Sequence, residues 1–201
     1  MRAPLLLLLL LSAPLAQAQG AGPDLYRQSY AAEARGDYTG AAELLARLGP
    51  DGATYVASLR KGWLHYLAGR HALAAEAYLR AAALEPSAVE ARLGAMLPLM
   101  ALRRWQDAER VGQEALALAP NDFTATSRLA WASYSQARYA EAEALYRRAL
   151  AAYPASAEMR TGLGWTLLKL GRHREARQAF EQVLAFAPDQ LAARDGLLQV
   201  P

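Results

Sequence analysis

Aromatic side chains that could bind a ligand recur along this sequence at a fixed interval. Trp63, Trp131 and Trp165 are separated by 68 and then 34 residues, and Leu97 occupies the remaining step of a 34-residue interval. Indole and phenol rings combine a large apolar area with a hydrogen-bonding group, so they often anchor ligands and partner proteins. The same spacing is also compatible with a repeated packing position.

Residue patterns typical of catalysis or metal binding do not occur in the sequence. It contains no cysteine and three histidines, of which His71 and His173 follow the same Gly-Arg pair and His65 precedes an aromatic residue. No glycine-rich phosphate loop, G-x-S-x-G motif or metal-ligand spacing accompanies them. We therefore predict a binding protein that is not an enzyme and uses neither a cofactor nor a metal ion.

The first residues predict export. Arg2 precedes seven consecutive leucines, Leu5 to Leu11, and Ala16-Gln17-Ala18 follows as an A-x-A cleavage site. The apolar run is shorter than the roughly 20 residues that span a bilayer, so we interpret residues 1–18 as a cleaved signal peptide rather than a membrane anchor. No cysteine follows the site to carry a lipid.

The composition indicates in which compartment the protein acts and excludes one class of partner. The basic residues are nearly all arginine, as in proteins of GC-rich bacteria, and an exported bacterial chain of this kind is expected in the periplasm without a membrane span. A formal charge of +3, to which Arg2 contributes, is too small to indicate nucleic-acid binding. The absence of cysteine excludes disulfides, so packing must stabilise the fold.

A 34-residue repeat organises the rest of the chain. Alanine and proline recur in phase at Ala74, Ala108, Ala142 and Ala176 and at Pro86, Pro120, Pro154 and Pro188. Apolar residues follow a helical stride, and a break such as Gly69-Arg70 or Gly171-Arg172 divides each unit. Each unit is therefore predicted to be a pair of helices.

The segment LGWTLLKLGRHREARQAFEQVLAFAPD resembles a tetratricopeptide repeat. Gly164 and Ala176 match its small helix-contact residues, Phe180 its aromatic residue and Pro188 its closing proline. The resemblance implies an all-α fold, an α-solenoid of five helix pairs plus a C-terminal capping helix in a right-handed superhelix. The repeats are predicted within one array, 19–201, at about 22–54, 55–88, 89–122, 123–156 and 157–190.

The two ends of the array are expected to differ from its middle. Residues 191–199 are predicted to form the capping helix over the last repeat, with Asp189 as its N-cap and Ala193 exposed on it. The first repeat has a shorter second helix and leaves through Gly49-Pro50-Asp51-Gly52. We expect the array to be complete, with no second domain.

The resemblance also implies where a ligand would bind. In this family the first helices line a concave groove, and the ninth residue of each repeat and its helical neighbours face that groove. Carried over to this sequence, the candidate groove residues are Tyr26, Tyr30, Trp63, Tyr66, Trp131, Tyr134 and Trp165. The alternative is that these rings only pack between neighbouring first helices.

The third repeat departs from the others. It has Leu97 in place of tryptophan, Pro98 inside its first helix, and Gly112 where the other repeats carry leucine or an aromatic residue. An interior proline costs roughly 3 kcal/mol in an ordinary helix, because it removes a hydrogen bond and clashes one turn back. The irregularity indicates either a tolerated kink or a hinge that widens the groove.

Two kinds of partner fit an aromatic groove. An apolar or aromatic segment of a cell-envelope protein would make this chain an assembly scaffold or adaptor. A polysaccharide is the alternative, since aromatic faces stack on sugar rings. Sugar sites also need carboxylates and amides, and the groove offers few, with Glu33, Glu90 and Glu158 as its carboxylates. This favours a protein partner.

Overall fold

Helices account for most of the residues that the structure describes. The computed structural model describes the backbone of residues 15–201 and the side chains of 22–50 and 52–201, so most of the predicted signal peptide, residues 1–18, lies outside it. The described residues contain no β-strand and form eleven α-helices and one 3₁₀ turn, Pro50–Gly52. The helices are α1 Leu15–Ala34, α2 Tyr38–Ala46, α3 Tyr55–Leu67, α4 His71–Leu84, α5 Val89–Ala101, α6 Trp105–Leu118, α7 Phe123–Ser135, α8 Tyr139–Ala152, α9 Ala157–Lys169, α10 His173–Phe186 and α11 Leu191–Leu198.

The chain divides into two compact units, one that ends at Ala53 and one that spans Thr54–Pro201. In the first unit, α1 packs against α2, which begins after the N-cap Asp37. In the second unit, α3 to α10 form four helix pairs followed by α11, and each pair packs on the next. The predicted all-α class of helix pairs with a closing helix is confirmed, while the exact repeat boundaries remain a prediction.

Tight turns separate the two helices of each pair. Three of these turns use glycine with a positive φ, at Gly36, Gly69 and Gly171. Glycine suits this position because it has no Cβ to clash with the following carbonyl. The third and fourth repeats instead place Arg103 and Ala137 there, with φ values of 57° and 59°. These two turns are therefore strained.

An aromatic ring from a second helix fills the space between two first helices. An ideal Cβ on Gly62 would lie 2.7 Å from the Tyr78 ring, and one on Gly94 would lie 2.3 Å from the same ring. Phe180 has the same relationship with Gly164 and Gly196. The small residues thus allow α3 and α5, and likewise α9 and α11, to enclose a buried ring.

The third repeat reverses this arrangement of large and small residues. Gly112 replaces the ring, and a Cβ there would meet Met96 of α5 at 2.7 Å and Leu129 of α7 at 2.8 Å. Met96 stands where the second and fifth repeats have Gly62 and Gly164. The first helices therefore supply the volume that a second-helix aromatic supplies elsewhere, and the core remains filled.

Two predictions about the closing helix are wrong. Ala193 is fully buried in the core of the last repeats, because the turn of α11 that carries it faces that core. Asp189 is not the N-cap: α11 begins at Leu191 after Gln190, whose side chain makes no capping hydrogen bond. The Asp189 carboxylate instead accepts a hydrogen bond from Arg194 at 3.3 Å.

Candidate ligand-binding groove

The first helices of the second unit form one continuous layer. Contacts run from α3 to α5, from α5 to α7, from α7 to α9 and from α9 to α11. The N-caps Thr54, Asp122 and Ser156 start α3, α7 and α9 by accepting a hydrogen bond from the backbone three residues later. Because these helices begin in equivalent places, their ninth repeat positions lie on one face of the layer.

The predicted groove residues differ in exposure. Trp63 is 42% exposed and Trp131 is 52% exposed, which are large fractions for tryptophan. Tyr66, Tyr134 and Trp165 are half-buried in the same unit. Tyr26 and Tyr30 lie on α1 of the first unit, where Tyr30 is exposed and Tyr26 is half-buried.

The second and fourth repeats carry equivalent aromatic stacks. Trp131 stacks on Tyr134 with ring centroids 5.7 Å apart, and the edge of Tyr139 meets Tyr134 at 5.5 Å. In the second repeat, Trp63 stacks on Tyr66 at 6.3 Å and His71 replaces the tyrosine edge at 5.6 Å. Each tryptophan is thus fixed by its own repeat while more than two fifths of its surface stays exposed.

Pro98 does not break helix α5. This helix lies between the two repeats that carry the aromatic stacks. The helix continues through Pro98 to Ala101, and the Pro98 carbonyl accepts a hydrogen bond of 3.0 Å from the Leu102 N–H. Pro98 is buried and Leu97 is half-buried. The proline is therefore accommodated inside an unbroken helix.

A pocket of about 500 Å³ opens on the layer between the fourth and fifth repeats. It brings together the predicted residues Trp131, Tyr134 and Trp165. Ten residues line it: Ser127, Trp131, Tyr134, Tyr146, Glu158, Met159, Thr161, Gly162, Trp165 and Ala192. Trp63 and Tyr66, although stacked on each other, do not contribute to this pocket.

Trp165 differs from Trp131 because it is tied to the core. Its indole nitrogen donates a hydrogen bond of 3.1 Å to the Ala192 carbonyl, and its ring meets Phe180 edge-to-face at 5.6 Å. The packing interpretation therefore holds for Trp165, while ligand binding at Trp131 remains a prediction. Trp165 forms a wall of the pocket, while Trp131 presents an exposed ring.

Polar groups in the pocket are few. The Thr161 side chain is 5% exposed, and its hydroxyl has no hydrogen-bond partner among the described residues. Burial raises the pKa of the Tyr146 phenol well above its usual value, and the nearby Tyr134 phenol and Glu158 carboxylate raise it further. Tyr146 therefore remains a neutral hydrogen-bonding group at physiological pH.

Comparisons with known proteins fit this architecture. One family model described as tetratricopeptide repeat matches residues 59–123 and 98–157, and a second with the same description matches residues 133–199. Together they cover more than two thirds of the chain. The chain is a tetratricopeptide repeat protein. Comparison with curated protein sequences gives no significant match.

Solved structures share the tetratricopeptide architecture. The crystal structure of MamA protein has a TM-score of 0.77 and 18% sequence identity, and the match covers 83% of this chain and 92% of that one. MamA from Desulfovibrio magneticus RS-1 gives a TM-score of 0.78 at 17% identity, with 85% and 97% covered. Identities this low establish a common fold alone.

The tetratricopeptide array places the three histidines apart from the pocket. His65 is half-buried, and burial, followed by Arg70 and Lys61, lowers its pKa. It lines a smaller pocket of about 120 Å³ with Lys61 and Glu76.

Among the described residues no group of three His, Cys, Asp or Glu side chains could hold a metal ion. In that part of the chain, no helix is both long enough and apolar enough to cross a membrane.

Three residues in or beside this layer were not among the predicted groove residues, namely Tyr146, Ala192 and Arg128. Tyr146 is buried in the core and also forms a wall of the pocket, and Ala192 reaches the pocket from the closing helix. Arg128 is half-buried on α7, and burial lowers its pKa; its guanidinium donates a hydrogen bond to the Leu93 carbonyl. A glycine recurs 16 residues after each second-helix aromatic, at Gly94, Gly162 and Gly196, and this spacing could have located the ring contacts.

Proposed function

We propose that this tetratricopeptide protein is a non-enzymatic scaffold that binds an apolar or aromatic segment of a partner protein. The observation that carries the proposal is the pocket of about 500 Å³ beside the exposed ring of Trp131. Pockets of roughly 300 to 1,000 Å³ accept small ligands or a few anchoring side chains. Trp131 and Tyr134 are the anchors, and Tyr146 and Trp165 are the walls.

The chemistry of the pocket supports a protein partner over a polysaccharide. Apolar and aromatic side chains dominate its lining, with Glu158 as the carboxylate and no Asn or Gln amide among the ten residues. Sugar rings carry hydroxyls on their edges, and these need several acceptors and donors around the stacking face. An apolar segment needs only the rings. Polysaccharide binding is therefore the alternative that the experiment below tests.

The cell envelope is the proposed place of action. The support is in the sequence, where a leucine run and Ala16-Gln17-Ala18 form a secretory signal. N-terminal sequencing of the protein from its native cells tests this directly. A start near Gln19 in the periplasmic fraction supports export, whereas a chain that retains Met1 contradicts it.

Site-specific photo-crosslinking in native cells tests the binding site. The photoreactive residue p-benzoylphenylalanine replaces Ala192, which is exposed and lines the pocket, or Ala144, which is exposed on α8 and does not line it. We expect protein adducts from position 192, none from position 144, and loss of the adducts when Trp131→Ala is added. Equal adducts at both positions, or adducts that survive Trp131→Ala, contradict the proposal. Carbohydrate adducts at position 192 would favour the polysaccharide alternative.

A further inference from the structure

The lining of the pocket carries a negative charge and no positive charge. Apart from the tyrosines, Glu158 is the ionisable residue among the ten lining side chains, and none of them is Arg, Lys or His. Glu158 lies in the first turn of α9 and is exposed. It forms no ion pair with the described residues, although most other carboxylates of α8 and α10 have an arginine partner. The pocket thus has a negative charge that is not neutralised.

The field of that carboxylate reaches into the pocket. Glu158 and Tyr146 line the same pocket. The charge of Glu158 adds to the effects of burial and of Tyr134, which raise the pKa of the Tyr146 phenol. The Thr161 hydroxyl oxygen has no partner among the described residues but is itself buried, so the exposed Glu158 carboxylate is the accessible acceptor.

Aromatic faces complete an environment that favours a cation. Trp131 lies nearly parallel to Tyr134, with 19° between the ring planes, and half of the Trp131 surface remains exposed. The negative face of an aromatic ring attracts a cation, and tryptophan is the strongest ring in this respect. A guanidinium group stacks on such a face through its plane and donates hydrogen bonds from its edge.

We propose that the pocket binds an arginine side chain that stands in the otherwise apolar segment of the partner protein. The guanidinium stacks on Trp131, donates hydrogen bonds to the Glu158 carboxylate, and leaves the aliphatic stem against Met159 and Trp165. This inference rests on the proposed function, because it specifies the residue that the scaffold recognises.

A selection from a displayed library of random linear peptides, with the purified full-length protein as the target, identifies the probes. Peptides are kept if Trp131→Ala weakens their binding. Each is then synthesised with arginine and with citrulline, which has the same shape and planarity but no charge. Calorimetric titration measures both peptides against the wild-type protein, Glu158→Gln and the control Glu181→Gln, an exposed position on α10 outside the pocket.

The expected result is that the kept peptides contain arginine and that citrulline weakens binding to the wild-type protein at least about tenfold, as charge-assisted hydrogen bonds predict. In Glu158→Gln the same exchange has less than a twofold effect, whereas Glu181→Gln behaves as wild type. Circular dichroism checks that each variant is folded.

Three results overturn the inference. Kept peptides without a basic residue, or with equal affinity for the citrulline form, show a neutral pocket and leave the proposed function standing. Equal losses in Glu158→Gln and Glu181→Gln show a general effect of surface charge. If no peptide depends on Trp131, both the inference and the proposed function fail.

Discussion

The Trp165 indole nitrogen donates a hydrogen bond of 3.1 Å to the Ala192 carbonyl and thereby joins α9 to the closing helix α11. Trp131, at the equivalent position one repeat earlier, has no such bond to the next first helix among the described contacts, and it is 52% exposed. Two tryptophans in the same repeat position therefore do different things. One holds the end of the array together and the other is available to a ligand.

The first prediction follows from this difference. Trp165→Ala removes the hydrogen bond and the edge contact with Phe180, so we expect it to lower the free energy of unfolding by about 2 kcal/mol or more, toward the range for buried tryptophans. Trp131→Ala should cost less than about 1 kcal/mol, because its ring is largely outside the core. Urea denaturation followed by circular dichroism measures both changes. Equal losses would mean that Trp131 is also a core residue.

Much of the fold could be predicted because the repeated residues mark where neighbouring helices contact each other. A small residue such as Gly62 and an aromatic such as Tyr78 recur in phase, and each pair marks the contact of two helices. The burial of Ala193 also follows from the 34-residue interval, so the prediction that it is exposed overlooked this signal. The equivalent residues of the earlier repeats are all buried, namely Ala57, Ala91, Ala125 and Met159. Asp189 failed as an N-cap because α11 starts at Leu191, one residue later than a cap at this position requires.

The pocket could not be predicted from the sequence. Its walls come from α7, α8, α9 and α11, so its volume follows from how far these helices stand apart. The interval of 34 residues placed Trp131 and Trp165 on neighbouring helices. It could not show that Ala192 would accept the Trp165 hydrogen bond and draw that ring toward the core.

A second prediction concerns the tight helix contacts. Ala142 and Ala193 are both fully buried, so Leu at either position should overpack the core and cost about 1 to 3 kcal/mol. Ala144→Leu, at an exposed site on α8, is the matched control and should change stability by less than about 0.5 kcal/mol. Thermal unfolding of the three variants checks this, and a tolerant Ala193→Leu would contradict the burial described above.

The reversed packing of the third repeat gives a third prediction. Gly94→Ala would bring a Cβ within 2.3 Å of the Tyr78 ring, which two glycine-bearing helices hold in place, and should cost about 1 to 3 kcal/mol. Gly112→Ala meets the Met96 methyl at 2.7 Å and a Leu129 methyl at 2.8 Å, and the ends of these two aliphatic side chains can move further than a ring held between two helices. Gly112→Ala should therefore be clearly less destabilising in urea denaturation. The reverse order would show that Tyr78 is free to shift.

The strained turns give a fourth prediction. Ala137 has a positive φ of 59° at a position where three other repeats use glycine. Ala137→Gly should therefore stabilise the protein by about 0.5 to 1 kcal/mol, as relief of left-handed strain exceeds the added flexibility of the unfolded chain. Ala144→Gly, inside α8, should instead destabilise it by about 1 kcal/mol. A loss of stability in both variants would indicate that the turn is not strained.

Whether Trp131 anchors a ligand is decided by the affinity of Trp131→Ala for a peptide selected on the wild-type protein. Calorimetric titration should show a loss of at least about 2 kcal/mol, the mark of an interface hot spot, with little change in the free energy of unfolding. Phe186→Ala, which removes a ring that is 53% exposed on α10, is the matched control and should bind as wild type does. Unchanged affinity in a folded Trp131→Ala variant would contradict ligand binding at Trp131 and leave the aromatic groove residues as packing residues.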